Sequence, residues 1–586
     1  MMREDFARLT PETLAALANW GLVKRAQREP FPNLLEGEDG LRAVYADGTE
    51  TFFPVGLPAQ KSSCSCGAPG WCRHRVGALL ACAGEHSIDA ESGFAPVDIS
   101  QLEKLVGARL WSKALAQKAR GMTVEVLGPP WVVRLPGCTV RFLVGVEAGY
   151  CKCDCDNQAA CEHWVLAAWA LNERGGLPGP LIWGGQSGSV SLVHTQQWLE
   201  ELLVGGVSGC DSLWQVWRAR VTREIAACSW LRVLVDELLQ MGAAYQQAAT
   251  DYSPAGWLFC LVSLALRLRD GSAQALGQEV AWEQELEHTR LFALGCRLLS
   301  ETVHVYWADG AGQILVQRLP AGSQAAPPLG RLSVLACSQL VSRGVVRRAD
   351  GSLRFRRERT RHSLTRLSLS WRDLPQPLIW PGQEAWSQQR HQRPTVLLQP
   401  PTLARDLWVI PLAWKESGCY DPGAQRLQAQ VGDIHGGTLQ LRRTHQKECP
   451  WSLDALAQAL PTTDWMTGFV RLDRGRVWVE PVSLVSAREV VVLDLESKSE
   501  AFDWPVILEQ APLDGLSELL REAVELCQQA SQLGLGQLLP SFHRRREDLA
   551  QRLQAASMPN LSRALSGDWS FWGAALRCLL AAERMA

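Results

Sequence analysis

No apolar run in this chain reaches the ~18 residues that a membrane-spanning helix needs. The best of them, Trp257 to Leu266, stops at Arg267, so no membrane contact is expected. A charged-then-apolar opening of the secretory kind is missing too, and a reducing cytoplasmic address is expected. Charge of one sign is scarce: 59 Lys and Arg stand against 61 Asp and Glu, for a net charge of −2. Global attraction to nucleic acid is therefore not the organising feature. Lysine in particular is rare, outnumbered by arginine about five to one, which fits codon bias better than phosphate recognition. The sequence also lacks the Gly-x4-Gly-Lys-Ser/Thr phosphate loop, so it is not expected to be its own ATPase. It has no Gly-x-Ser-x-Gly elbow, no His-Glu-x-x-His helix and no zinc-deaminase signature. The expectation is a protein that is not an enzyme.

The cysteines are distinctive. Cys64-x-Cys66-x5-Cys72-x-His74 returns as Cys153-x-Cys155-x5-Cys161-x-His163, with every position displaced by 89. Zinc favours four thiolate or imidazole ligands in a tetrahedron, and three Cys with one His is a usual structural set. Two copies with identical spacing predict two Zn2+ sites, both closed by a fourth protein ligand and therefore structural rather than catalytic. The chain is too long to be a disulfide-dependent mini-domain. Most of its remaining thiols, such as Cys82, Cys228, Cys260 and Cys527, sit in apolar surroundings as small core residues.

The repeat extends past the ligands. Each Cys-x-His opens an apolar helical run, with Val76, Ala78, Leu79 and Leu80 in one copy and Val165, Leu166, Ala168 and Trp169 in the other. Each knuckle follows a strand-like stretch (Leu41 to Pro54, Thr123 to Val146), preceded in turn by a helix around Pro11 to Arg25 or Ser100 to Arg120. A unit of about 90 residues is duplicated.

The stretches "SCSCGAPGWCRHRVGALLA" (63–81) and "CKCDCDNQAACEHWVLAAWA" (151–170) resemble the SWIM-type zinc finger, whose signature is Cys-x-Cys, a variable gap, then Cys-x-His and a short helix. The resemblance covers residues from about 1 to 175. It implies DNA binding or protein–protein contact, in bacterial cases alongside a SWI2/SNF2-type ATPase, hence an SNF2-type ATPase as a protein partner here. The copies differ. Cys151 adds a thiol upstream of the second knuckle, which is acidic (Asp154, Asp156, Glu162), whereas the first is basic (Lys61, Arg73, Arg75). Phosphate contact is expected at Arg73 and Arg75.

Beyond the knuckles, 172–189 is rich in Gly and Pro and reads as a linker. Apolar spacing of three and four makes Leu192 to Leu299 helical, including a buried helix at 251–270 with Ser253 as N-cap and Pro254 in its first turn. From Thr302 to Leu495 short strands take over, with hairpins signalled at Asp309-Gly310 and Asp350-Gly351. Helices resume from Leu513. The fold class is α+β multidomain: Cys3His modules at 1–88 and 89–175, a helical domain at 190–300, a β-rich domain at 301–498 and a C-terminal helical segment at 510–586.

One local charge feature stands out in the β-rich region. Residues 343–366 hold nine arginines against Asp350 and Glu358. Arg354, Arg356, Arg357, Arg359 and Arg361 crowd an apparent strand, with Trp371 beyond them, so several would share one face. Such a face can neutralise phosphates. It can equally be a solvated hairpin, or one paired with acidic residues of this chain or a partner. The 25 tryptophans can stack on bases, but their even scatter favours core packing. Two functional readings stand: a non-catalytic DNA-binding or adaptor subunit, and a protein-interaction scaffold without nucleic-acid contact.

Overall fold

The structure, a computed structural model, describes residues 11–585 together with Phe6 and Leu9, apart from 85–95, 143–149, 156–159, 184–190, 359–361, 367–373, 375–377, 497–504, 506–514 and scattered single residues and pairs. Asp154, Asp156, Arg359, Arg361 and Trp371 lie outside the described residues. The chain divides into two compact units, Met1–Gly185 and Gln186–Ala586. No described helix is long and apolar enough to cross a membrane.

The first unit contains the duplicated module. In copy one, α1 (Pro11–Leu17) and α2 (Trp20–Ala26) precede strands β1 (Asn33–Gly37), β2 (Gly40–Val44), β3 (Glu50–Pro54) and β4 (Ser63–Cys64). These form a consecutive antiparallel sheet, and α3 (Arg73–Gly84) follows. The helix expected across Pro11 to Arg25 is thus two short helices. Phe6, Leu14, Val23, Phe53, Val76 and Leu79 close the core.

Copy two repeats the plan with α4 (Ile99–Val106) and α5 (Ala108–Arg120), split at Gly107, whose φ of +77° a residue with a Cβ rarely adopts. Strands β5 (Met122–Leu127), β6 (Val132–Leu135), β7 (Cys138–Phe142) and β8 (Cys151–Cys153) lead to α6 (Glu162–Arg174). The expected linker is not one: α6 ends within it, and Gly179–Trp183 becomes strand β9, paired antiparallel with β5. A separate core of Leu102, Val124, Val140, Val165 and Leu166 closes this copy. Tyr150 ties the two together, buried in the first copy's core with its hydroxyl 3.4 Å from the Ala59 N–H.

The second unit opens with helices α7 (Val193–Gly205), α8 (Cys210–Glu224), α9 (Ser229–Gln246) and α10 (Pro254–Asp270). Ser253 caps α10 by accepting from the Gly256 N–H, and Pro254 opens it, as its sequence predicts. This helix, the most apolar run of the chain, is buried by other helices.

The β-rich region begins earlier than its turn signals suggested. Residues read as the end of the helical block form β10 (Glu283–Leu286) and β11 (Thr289–Leu298). A short apolar run does not separate strand from helix by periodicity alone. With β12 (Thr302–Asp309), β13 (Ile314–Pro320), β14 (Ser338–Ser342), β15 (Val345–Arg348), β16 (Ser352–Phe355) and β17 (His362–Arg366), the strand order is β10-β15-β16-β13-β12-β11-β14-β17. β14 and β15 are nearly continuous in sequence and pair β11 and β16 respectively. The sheet therefore closes into a barrel, with Trp307, Leu315 and Leu353 inside.

A second barrel follows from β18 (Leu407–Lys415), β19 (Cys419–Asp421), β20 (Arg426–Asp433), β21 (Thr438–Thr444), α11 (Ser452–Ala459), β22 (Trp465–Asp473), β23 (Arg476–Val485) and β24 (Val490–Val492). Strand β18 pairs both β20 and β22, so β18-β20-β21-β23-β22 is a closed ring. The two barrels share details. In each, the third strand runs parallel to the fifth, through Val316↔Ser352 and Gln440↔Trp478. Each carries a bulge in its first strand, and in each an Asp (Asp309, Asp433) closes the turn after the second strand by accepting the backbone N–H four residues on, at 2.8 Å.

Finally α12 (Gly515–Leu533), α13 (Pro540–Ala555), α14 (Pro559–Leu565) and α15 (Phe571–Met585) return to the N-terminal helices of this unit. Leu258 and Val262 of α10 share a core with Leu526, Leu549 and Ala574, and the Trp257 indole donates to the Ser531 carbonyl at 3.2 Å. The C-terminal segment thus completes the helical layer.

Candidate metal centres

Each knuckle is built from the end of a strand and the start of a helix. Strand β4 pairs β3 with Cys64 opposite Thr51, which places the first thiol at the sheet's edge. The chain then turns: the Gly67 N–H bonds the Cys64 carbonyl at 3.3 Å, and Gly67 takes a φ of +73°, which brings Cys66 back beside Cys64. The second pair comes from the N-terminus of α3. Cys72 immediately precedes the helix, and the Arg75 N–H points at its sulfur at 3.4 Å; His74 lies in the first turn. Orphan N–H groups at a helix start favour negative charge, here a thiolate.

The second copy repeats this. β8 pairs β7 with Cys153 opposite Val140, the Cys155 N–H reaches the Cys153 sulfur at 3.4 Å, Cys161 occupies the N-cap of α6, and His163 is in its first turn.

The predicted ligands converge. In both groups one donor atom from each of the four residues lies within 4.8 Å of all the others. The Cys64 Sγ to His74 Nδ1 distance is 3.8 Å, and Cys153 Sγ to His163 Nδ1 is 3.7 Å. A tetrahedron with Zn–N and Zn–S bonds of about 2.0–2.3 Å has edges of roughly 3.5–3.8 Å, so the spacing fits a tetrahedral metal ion. These eight residues can hold two such ions. None of the cysteines described forms a disulfide.

The electrostatics agree. Burial pushes Cys72 up to about 12, whereas Cys66, exposed and receiving the Ala68 N–H and a bond from His74, falls to about 6. In the second site burial opposes protonation of His163, yet Cys155 and Cys161 raise it to about 10. Hydrogen bonding to Cys138 and Cys155 raises Cys153, and bonding to Cys153 and Cys155 raises Cys161. Four soft donors brought this close can share a divalent cation, which favours their deprotonated forms.

Sequence reasoning did not anticipate the groups around the ligands. A carboxylate lies 3.8 Å from each histidine Nε2: Asp47, from the β2–β3 turn, at His74 and Glu162 at His163. At 3.8 Å these carboxylates lie beyond direct hydrogen-bonding reach and act on the imidazoles by charge; the hydrogen-bond contact at His74 Nε2 is with the Arg73 Nε, at 3.2 Å. Glu162 is itself held by Lys113 at 2.6 Å. The Tyr45 hydroxyl donates to the His74 carbonyl, and Gly77 makes room, since a Cβ there would lie 2.7 Å from that hydroxyl. Cys138, outside the repeated spacing, lies against Cys153. The pairing explains it: Val140 lies opposite Cys153, so a thiol two residues earlier on the same strand shares its face.

The expected phosphate contacts fare differently. Arg73 bonds Glu29 at 3.0 Å, approaches Asp47 at 3.9 Å and reaches His74, and Arg75 donates to the Gly70 carbonyl at 2.7 Å. Both brace their own knuckle. The arginine-rich stretch is no single strand: β16 ends at Phe355, before Arg356 and Arg357. Arg354 pairs with Glu283 at 3.4 Å and Arg356 with Glu285, both on β10, while Arg347 is buried and donates to Gln313. Arg357 is exposed. The tryptophans largely fill cores, Trp198, Trp257, Trp307 and Trp380 being fully buried.

Comparison with known proteins bears chiefly on the second barrel. Residues 404–512 match the family described as the YehQ C-terminal OB-fold domain. This agrees with the ring of β18 to β23, since an OB-fold is a five-stranded Greek-key barrel. The chain as a whole is similar to Protein YehQ of Escherichia coli (strain K12), 28% identical over 565 residues that cover 85% of this chain and 92% of the relative. No solved structure matches.

Proposed function

We propose that this protein is a zinc-structured, non-catalytic subunit that contacts DNA and works beside a partner, an SNF2-type ATPase being the candidate that the SWIM-type resemblance supplies. The observation that carries the reading is the pair of four-donor groups, each spanning a strand end and a helix start in a module of about 90 residues. In modules this small, metal binding does the work of a larger core, and the helix after each Cys-x-His is held in a defined place. A reducing, cytoplasmic compartment suits the free thiols.

A second reading, a protein-interaction scaffold without nucleic-acid contact, is favoured by the pairing of Arg354 and Arg356 with Glu283 and Glu285. Exposed pairs of this kind are weak, so either a phosphate or an acidic protein surface can displace the glutamates. The deciding experiment is binding of single- and double-stranded oligonucleotides to zinc-loaded protein at low and near-physiological salt. Tight binding with a steep salt slope supports the first reading. Absence of binding at both salts rejects it in favour of the scaffold.

A further inference from the structure

The two barrels share a strand order but differ in what covers the outer face of their second and third strands. In the first, Tyr306 and Val316 pair across β12 and β13 and are 3% and 1% exposed, packed with Leu407, Val409, Val482 and Val485 of the second barrel. The same register positions in the second barrel carry Gln430 and Gln440, and among the described residues no apolar cluster seals them: Gln430 is exposed and Gln440 half-buried. One face is consumed by packing; its counterpart is polar and, among the described residues, uncovered.

The open face is organised. Trp478 lies opposite Gln440 on β21 and opposite Arg471 on β22, so Arg471, Trp478, Gln440 and Gln430 form one row across four neighbouring strands. The guanidinium carbons of Arg442 and Arg471 lie 5.5 and 5.7 Å from the Trp478 ring centroid. Arg442 also donates to the Gln440 side chain, at 2.6 Å, and Gln440 donates to Gln428 at 3.1 Å. Arg426 borders the face, 3.7 Å from Asp421. Two acids flank the face: Asp421 of β19 also accepts from Gln428 at 3.4 Å, and Glu480 of β23 is engaged by Arg297 at 3.0 Å. A half-buried indole clamped by two cations and flanked by amides combines a stacking platform, phosphate neutralisation and base-edge donors and acceptors.

We infer that this face of the second barrel binds single-stranded polynucleotide. A base stacks on Trp478, Arg442 and Arg471 exchange the indole for phosphates, and the glutamines meet base edges. A duplex hides its base faces and does not fit this chemistry. The inference rests on the nucleic-acid reading above but moves the contact from the arginine stretch and first knuckle to the barrel.

The test is fluorescence anisotropy with the full, metal-loaded chain and labelled probes: oligo-dT, oligo-dA, oligo-rU and a DNA duplex, at two salt concentrations. Trp478→Ala is expected to weaken single-strand binding by about tenfold or more. The double variant Arg442→Gln/Arg471→Gln alters one half-buried and one exposed side chain outside the barrel core and keeps the test valid should Trp478→Ala unfold; each lost phosphate contact lowers the salt slope by about 0.7. Comparing oligo-dT with oligo-rU identifies the preferred sugar. Wild-type affinity in the Arg442/Arg471 variant, with loss in Arg354→Gln/Arg356→Gln, overturns this site while the nucleic-acid reading survives. Preference for duplex overturns the single-strand assignment. No binding of any probe by the wild-type chain overturns both.

Discussion

The two candidate metal knuckles share a donor set and differ in their surroundings. In the first, Cys66 is exposed and Cys64 half-buried at the edge of a small sheet, with Asp47 contributed from a separate turn. In the second, Cys161 is buried, two further thiols (Cys138, Cys151) lie among the ligands, and the carboxylate beside the histidine, Glu162, is anchored by Lys113. The second core is also larger, with Trp111 and Trp169 in edge contact at 5.0 Å. Cys72 and His74 of the first site are themselves buried, so the contrast lies at Cys66: identical spacing yields one site open to solvent at a thiol and one with no exposed ligand, shallow and deep in that sense. The first is expected to depend on metal for its fold, and the second to depend on it less.

The largest expected effect is removal of a ligand. Structural zinc contributes about 10–16 kcal/mol of apparent binding energy, so Cys72→Ser or His74→Ala should release close to one zinc per chain and expose residues from about 40 to 85 to hydrogen exchange. Cys161→Ser should release the other ion with exchange confined nearer the knuckle. Metal analysis that still finds two ions after Cys72→Ser means the first site is misassigned.

Next come the carboxylates. Asp47→Asn and Glu162→Gln should each lower metal affinity by about 10-fold through loss of a negative charge beside the histidine, with the larger loss for Glu162 because Lys113 holds it in place. Equal, negligible losses in competition titrations would remove the carboxylates from the description of both sites. Chelator challenge should separate the sites kinetically. The exposed Cys66 opens the first to attack, and release there should be about tenfold faster, the ratio for a barrier difference of ~1.4 kcal/mol. Release at one rate from both, followed with a chromophoric chelator, would erase the shallow–deep distinction.

The smallest effect concerns the extra thiols. Cys151→Ser and Cys138→Ala should leave two ions bound and change stability by only about 1–3 kcal/mol. Loss of an ion from either variant would place that thiol in the coordination sphere.

The ligands, the duplication and both hairpins at Asp-Gly were legible because each depends on residues close in sequence. Other features were not. Glu283–Leu286 and Thr289–Leu298 read as helix because a short apolar run is ambiguous until its neighbours are known. The supposed linker became β9 because Gly179–Trp183 found an open edge at β5. The arginine stretch looked like a free cationic face; Glu283 and Glu285, some seventy residues earlier, sit opposite it only because β10 pairs β15.

Spacing along the chain therefore sufficed for the chemistry of the knuckles, since a tetrahedral ion constrains ligands that lie within a few residues of a turn and a helix start. Depth, neighbouring carboxylates and spare thiols depend instead on which strands and helices pack around each knuckle. The same holds for the barrels. Their alternation of apolar and polar residues was visible in sequence, but that Tyr306 is covered while Gln430 stays open follows from the packing of one barrel on the other. Burial is a property of contacts between distant segments, and no local pattern encodes it.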